Sequence, residues 1–88
     1  MLYDDFRAAV EQYCGATGDG ALVPIPALRR SVADGLPPAT FDAYLCALQA
    51  DGHVHLLTHV DPRSLPEAER QECLMHPSGL MAYWVCWV

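Results

Sequence analysis

The chain has 88 residues, of which 52% are hydrophobic and 18% charged, so it is not a disordered chain and has room for one core. Eleven acidic residues against five arginines and no lysine give a net charge of −6, which disfavours nucleic acids and anionic membranes as partners. No apolar run reaches the roughly 20 residues of a membrane span, and the N-terminus lacks the pattern of a signal peptide. We therefore expect one cytoplasmic domain over residues 1–88.

The N-terminal part of the chain predicts a helix and a short strand. Apolar side chains recur at helical spacing over residues 2–14, and the glycine-rich residues 15–20 end that helix. Residues 21–25 are short and apolar, which favours a brief strand. Because Pro24 has no backbone N–H to donate, this strand belongs at the edge of a sheet.

Two further helices follow in the pattern. Pro26 suits the first turn of a second helix that runs to about residue 34. Its pattern places Arg29 and Arg30 outward, and Gly35 closes it. The two prolines at 37 and 38 precede or open the third helix, which ends at residues 51–52. Its apolar side chains lie at i, i+3, i+4 and i+7, and these are Phe41, Tyr44, Leu45 and Leu48.

The C-terminal part predicts two strands joined by a long connection. Residues 53–60 alternate like a half-buried strand, with the even-numbered side chains on one face. A short, charged helical turn opened by Pro66 is expected within residues 64–74, and residues 76–79 form a turn. Residues 80–88 are almost wholly apolar, and their β-branched and aromatic content favours a strand.

This last strand is apolar on both of its predicted faces, with residues 80, 82, 84, 86 and 88 on one and residues 81, 83, 85 and 87 on the other. An antiparallel hairpin normally leaves one face in water. Either the connection at residues 65–74 covers the second face, or a partner or a second copy of the chain does. Because Trp, Tyr and Met are enriched at interface centres, the candidate partner-binding residues are Met81, Tyr83, Trp84 and Trp87.

The order of these elements resembles that of winged-helix domains, in which a helix-turn-helix is followed by a β-hairpin. The resemblance covers nearly the whole chain and is carried by residues 25–30 (IPALRR), 41–48 (FDAYLCAL) and 51–56 (DGHVHL). It implies an α+β fold: a three-helix, winged-helix-like domain with a small antiparallel β-hairpin or sheet. In members of this superfamily that bind DNA, the third helix enters the major groove, whereas other members bind proteins.

The residues of the third helix depart from the DNA-binding pattern. None of its outward positions, which are Ala39, Thr40, Asp42, Ala43, Cys46 and Gln49, is basic. Only Thr40 and Gln49 suit a base contact, so Arg29, Arg30 and Arg63 would have to bind the phosphates. We therefore favour a non-catalytic module that works through protein–protein contacts, as a homodimer or docked to a partner. A small DNA-binding regulator is the alternative.

Histidines and cysteines raise the question of a metal site. His53 and His55 project from one face of a strand, and Cys73 and His76 form a C-x-x-H that could complete a tetrahedral zinc site. Histidines also suit the solvent face of a hairpin, and no C-x-x-C is present. We expect no metal, no cofactor and no catalytic residue. The four cysteines, Cys14, Cys46, Cys73 and Cys86, are expected to be buried free thiols.

Overall fold

The computed structural model describes residues 1–18, 20–32 and 35–88. Its helices are α1 (Tyr3–Thr17), α2 (Ile25–Val32), α3 (Pro38–Ala50) and α4 (Glu67–Glu72), and its strands are β1 (Val23–Pro24), β2 (Val54–Thr58), β3 (Leu74–Met75) and β4 (Met81–Trp87). The predicted α+β class with a small antiparallel sheet is confirmed. The charged helical turn predicted after Pro66 is present as α4, which makes four helices where the fold prediction named three. The connection between β2 and β4 also contains a 3-10 turn (Pro62–Ser64) and the strand β3, which was not predicted and takes Leu74 out of the predicted helical turn. The predicted end of the second helix at residue 34 lies outside the described residues.

The element boundaries differ from the predictions in several places. Helix α1 continues through Gly15 and ends at Thr17. The residue after it, Gly18, has a φ of 130°, which favours glycine, and its N–H donates to the carbonyl of Cys14. Ile25 belongs to α2 rather than to the first strand. Strand β2 ends at Thr58, because the N–H of Asp61 donates to Nδ1 of His59 and turns the chain there.

Strand β4 is the centre of the sheet. Strand β2 pairs antiparallel with it from Val54 opposite Trp87 to Thr58 opposite Ala82. The other side of β4 is shared by β1, which lies opposite residues 84 and 85, and by β3, which lies opposite residues 81 and 82. Among the described residues β1 and β2 therefore each pair on one side only, and the edge position predicted from Pro24 is confirmed.

The main core lies between one face of this sheet and helices α1, α2 and α3. Phe6 of α1 meets Phe41 of α3 edge to face, with ring centroids 5.5 Å apart, a favourable geometry for aromatic pairs. The helical spacing predicted for α3 is confirmed for Phe41, Leu45 and Leu48, which are fully buried. The other buried members of this core are Val10, Cys14, Val23, Ile25, Leu28, Val32, Val54, Leu74, Ala82 and Val85.

A bulge in β4 overturns the strict alternation predicted for residues 80–88. Leu57 lies opposite Trp84 but the next residue, Thr58, lies opposite Ala82, so Tyr83 is an extra residue without a partner on β2. A bulge of this kind shifts the face to which later side chains point. Ala82 and Val85 consequently both reach the main core, whereas Tyr83 and Trp84 both lie on the opposite face. We call that opposite face, which is turned away from the three helices, the outer face.

Candidate functional site

The connection between β2 and β4 covers part of the outer face. Leu65 and Cys73, which flank α4, pack on Tyr83 to form a second buried cluster, and Met81 and Trp84 contact its border. Tyr83 is only 7% exposed, and burial is the first cause that raises the pKa of its hydroxyl. The sequence left two possible coverings for the second face of β4, which were the connection and a partner or second copy. For Tyr83, the covering is the connection.

Two arginines of α2 hold this connection in place. Nε of Arg29 donates to the carbonyl oxygen of Glu72 at 2.9 Å, and its Nη2 donates to Oδ1 of Asp42 at 2.7 Å. The guanidinium also lies over the ring of Phe41, 4.3 Å from its centroid. Arg30 makes two hydrogen bonds to the carboxylate of Glu72. The predicted outward position of Arg29 is wrong, because these contacts bring its side chain in until it is only 14% exposed.

The rest of the outer face is open. Leu57 of β2, opposite Trp84, keeps 42% of its surface exposed, and His55 lies opposite the half-buried Cys86. Pro24 of β1 lies on the other side of Trp84. We call these five residues, Pro24, His55, Leu57, Trp84 and Cys86, the open patch. None of them carries a formal charge when His55 is neutral, so the open patch is an apolar and aromatic area on an acidic molecule.

An imidazole closes one end of the open patch. The ring of His59 stacks on Trp84 with centroids 6.2 Å apart, and meets the edge of Tyr83 at 4.9 Å. Tyr83 and Trp84 themselves are edge to face at 4.7 Å. The open patch is thus bordered by a packed aromatic group, which holds the Trp84 ring in place as a rigid contact surface.

The structure brings together three of the four predicted partner-binding residues. Met81, Tyr83 and Trp84 share the outer face, although Tyr83 is covered by the connection. Trp87 is not part of this surface, since it packs against the main core and stacks on His53 at 5.7 Å. Sequence reasoning missed Leu57 as a contact residue, and the signal that could have found it is its position among histidines on the solvent side of an alternating strand.

The candidates for nucleic-acid contact do not form a basic surface. Arg29 and Arg30 are each paired with a carboxylate, on Asp42 and Glu72. Arg63 is exposed in the 3-10 turn and makes no ion pair with the described residues. Thr40 and Gln49, which were predicted to point outward from the third helix, are both half-buried. Cys46, also predicted outward, is half-buried and packs against the main core.

The candidate zinc ligands are separated. His53 stacks on Trp87, Sγ of Cys73 donates to the carbonyl of Glu69, and Nδ1 of His76 lies 2.9 Å from the hydroxyl of Ser78. Over residues 1–18, 20–32 and 35–88, no three His, Cys, Asp or Glu residues are grouped as metal ligands. The His53, His55, Cys73 and His76 set is therefore not assembled.

The four cysteines are free thiols. Cys14 and Cys73 are buried, as predicted, whereas Cys46 and Cys86 are only half-buried. Burial raises the pKa of the Cys14, Cys46 and Cys73 thiols, which keeps them protonated and poorly nucleophilic near neutral pH. This is the chemistry expected when these three side chains fill space.

Comparison with protein-family models, with curated proteins and with solved structures found no match. Within the part of the chain that the structure describes, no helix is long and apolar enough to cross a membrane.

Proposed function

We propose that this chain is a non-catalytic, winged-helix-like interaction module that binds protein through the open patch. A second copy of the chain is the occupant to test first, with a different protein as the alternative. The order of elements supports the winged-helix description, since a helix, an edge strand and two helices precede the pair β2 and β4. The central position of β4 between β1 and β2 agrees with it.

The observation that carries the proposal is the exposure of Leu57 beside Trp84. A large apolar side chain that is 42% exposed is ordinary when it stands alone. Here it continues into an aromatic ring and two further apolar side chains on the same face. Contiguous apolar area of this kind marks interaction sites, and Trp is enriched among the residues that dominate binding energy.

The charge distribution favours protein over nucleic acid as the bound molecule. The two arginines of α2 are used in holding the connection, and the net charge is −6. Because the open patch is itself uncharged, two copies can bring these patches together about a two-fold axis, the commonest symmetry of homodimers. Their total charges then repel, so we expect added salt to strengthen this association rather than weaken it.

Light scattering after size exclusion tests self-association. We expect the wild type to dimerise increasingly with protein concentration and with salt. Leu57→Glu places a charge in the open patch and should shift the equilibrium to monomer by about tenfold or more. Leu2→Glu is the matched control, since Leu2 is 73% exposed just before α1 and lies outside the open patch.

A wild type that stays monomeric at every concentration and salt level would exclude the second copy as occupant. A dimer that Leu57→Glu leaves intact would exclude the open patch as its interface.

A further inference from the structure

The turn that leads out of β2 is closed by a side chain rather than by the backbone. The N–H of Asp61 donates to Nδ1 of His59 at 3.0 Å. Within residues 58–61, all of which the structure describes, no backbone hydrogen bond closes this turn. Val60, which lies between the two bonded residues, is 99% exposed, so packing does not hold the turn either. The path of the chain out of β2 therefore depends on one imidazole nitrogen that acts as an acceptor.

The turn before β4 has the same imidazole contact but does not depend on it. Nδ1 of His76 accepts from the N–H of Ser78 at 3.1 Å. Here the N–H of Gly79 also donates to the carbonyl of His76 at 2.8 Å, and the N–H of His76 donates to the carbonyl of Leu80 at 2.9 Å. These two backbone bonds do not involve the His76 ring, so they hold this turn whether or not the ring is protonated.

Protonation changes the acceptor of His59 into a donor. A neutral ring that accepts at Nδ1 carries its proton on Nε2, whereas an imidazolium carries a proton on both nitrogens. The proton and the Asp61 N–H therefore compete for Nδ1. The closed turn is favoured above the range in which histidine titrates, about pH 6.5. It is lost as the pH falls through that range, because the opened turn binds the proton more readily.

The packing of the His59 ring indicates that the backbone moves on protonation and the ring does not. The ring stacks on Trp84 with the two planes 11° apart, and it meets the edge of Tyr83. Because the face of an aromatic ring attracts a cation, the imidazolium keeps its place on Trp84. The Asp61 N–H is then the donor that has to leave.

The charged and titratable groups around this ring leave the competition to Nδ1. In the part of the chain that the structure describes, His59 forms no ion pair with a carboxylate. Burial raises the pKa of the Tyr83 hydroxyl, which therefore stays neutral in this range, and the charged groups that act on that hydroxyl are Glu69 and Arg30. The carboxylate of the turn itself, on Asp61, is exposed.

We propose that His59 is a pH-sensitive switch at the border of the open patch. The neutral ring closes the turn after β2, and protonation opens this turn and frees the start of the connection, residues 61–65. Leu65, one of the two side chains that cover Tyr83, lies at the end of this segment. Acid therefore uncovers apolar area beside the open patch.

Solution NMR of the nitrogen-labelled full chain, at about pH 7.5 and about pH 5, tests the proposal. Relative to its intrinsic rate at each pH, exchange of the Asp61 amide with water should be about fivefold faster at the lower pH, the factor that one hydrogen bond of ordinary net strength supplies. The amide signals of residues 61–65 should move with the same midpoint as the His59 imidazole. The Gly79 amide, bonded to the backbone, should stay protected throughout.

Three variants assign the response to Nδ1 of His59. His59→Asn keeps an acceptor for the N–H two residues on but does not titrate, so the Asp61 amide should stay protected at both pH values. His59→Phe keeps a ring against Trp84 without an acceptor, so the amide should be unprotected at both. His55→Asn removes the neighbouring exposed imidazole of β2 and should leave the wild-type response unchanged.

Equal protection of the wild-type Asp61 amide at the two pH values would overturn the proposal. An acid response that persists in His59→Asn would do the same, because another group would then cause it. These signals come from the turn of the chain itself, so the expected result is the same whether or not the open patch binds a second copy.

Discussion

At the scale of single residues, Arg29 shows how the contacts of one side chain make a surface less suited to binding nucleic acid. Its guanidinium contacts α3 through Asp42 and Phe41, and the end of α4 through the carbonyl of Glu72. A planar group with several donors in fixed directions suits such a junction better than an ammonium group does. The same contacts remove it from the set of cations available to phosphate.

Arg29→Lys should lower the free energy of unfolding by about 1–2 kcal/mol, because lysine keeps the charge but cannot satisfy Asp42 and the Glu72 carbonyl together. Arg30→Lys is the matched control. The Arg30 side chain is 57% exposed, so its ion pair with Glu72 is screened and its loss should have a smaller effect. Urea unfolding of the three proteins measures the difference. Equal losses in the two variants would contradict a special role for Arg29.

Tyr3 provides a second test at this scale, through its ionisation. Its hydroxyl donates to the carboxylate of Asp51, and this hydrogen bond, with burial as a lesser cause, raises the pKa of Tyr3 to about 12. Tyrosine in an unfolded chain ionises near 10. The folded state therefore binds the proton more tightly. The stabilisation is complete below pH 10 and is lost as the pH rises through about 12.

Absorbance titration of tyrosinate should show a late component in the wild type that is missing in Tyr3→Phe. Asp51→Asn removes the acceptor charge and should move that component back toward pH 10. The difference between the wild-type and Tyr3→Phe titration curves reports the ionisation of Tyr3. A difference centred near pH 10 would show that the hydrogen bond to Asp51 does not persist in solution.

At the scale of elements, the bulge in β4 and the connection around α4 act together. The extra residue puts Tyr83 on the outer face beside Trp84. The connection then covers Tyr83 with Leu65 and Cys73 and leaves the strip that contains Leu57 open. The extent of the open patch is thus set by how far a short helix reaches across the sheet.

Leu65→Ala should release this connection locally. A buried Leu→Ala change lowers the free energy of unfolding by about 2–5 kcal/mol in a large core. Because the second cluster has only three buried members, we expect a loss of about 2 kcal/mol or less. Hydrogen exchange should accelerate in residues 62–75 and remain slow in α1 and α3. Leu57→Ala, at an exposed position, is the control with little expected change. Uniformly faster exchange throughout the chain would show that both clusters unfold as one unit.

At the scale of the whole molecule, the charge of −6 and the pairing of both α2 arginines predict no salt-sensitive binding of duplex DNA. Fluorescence anisotropy of a labelled duplex at low ionic strength measures this. Glu72→Gln removes the carboxylate that holds Arg30. If this variant binds the duplex and the wild type does not, the Arg30–Glu72 ion pair masks a phosphate contact. Wild-type binding that weakens as salt is added would contradict the proposed protein-binding role.

Local sequence signals predicted most of the elements correctly. Apolar spacing predicted α1 and α3, Pro24 predicted the edge position of β1, and the apolar C-terminal run predicted β4. These features depend on propensity and periodicity within a few residues, which is information that the chain carries locally. The two possible coverings of the second face of β4 were also visible in the sequence.

The site depended on contacts between residues far apart in the chain. The bulge at Tyr83 arises from the register between β2 and β4, which no local pattern specifies. The inward position of Arg29 depends on Asp42 and on Glu72, 43 residues later. The sequence by itself determined the fold class, the acidic charge and the order of the elements other than β3. Only the tertiary structure decided which part of β4 is covered and where the Arg29 side chain is held, because these follow from packing between distant segments.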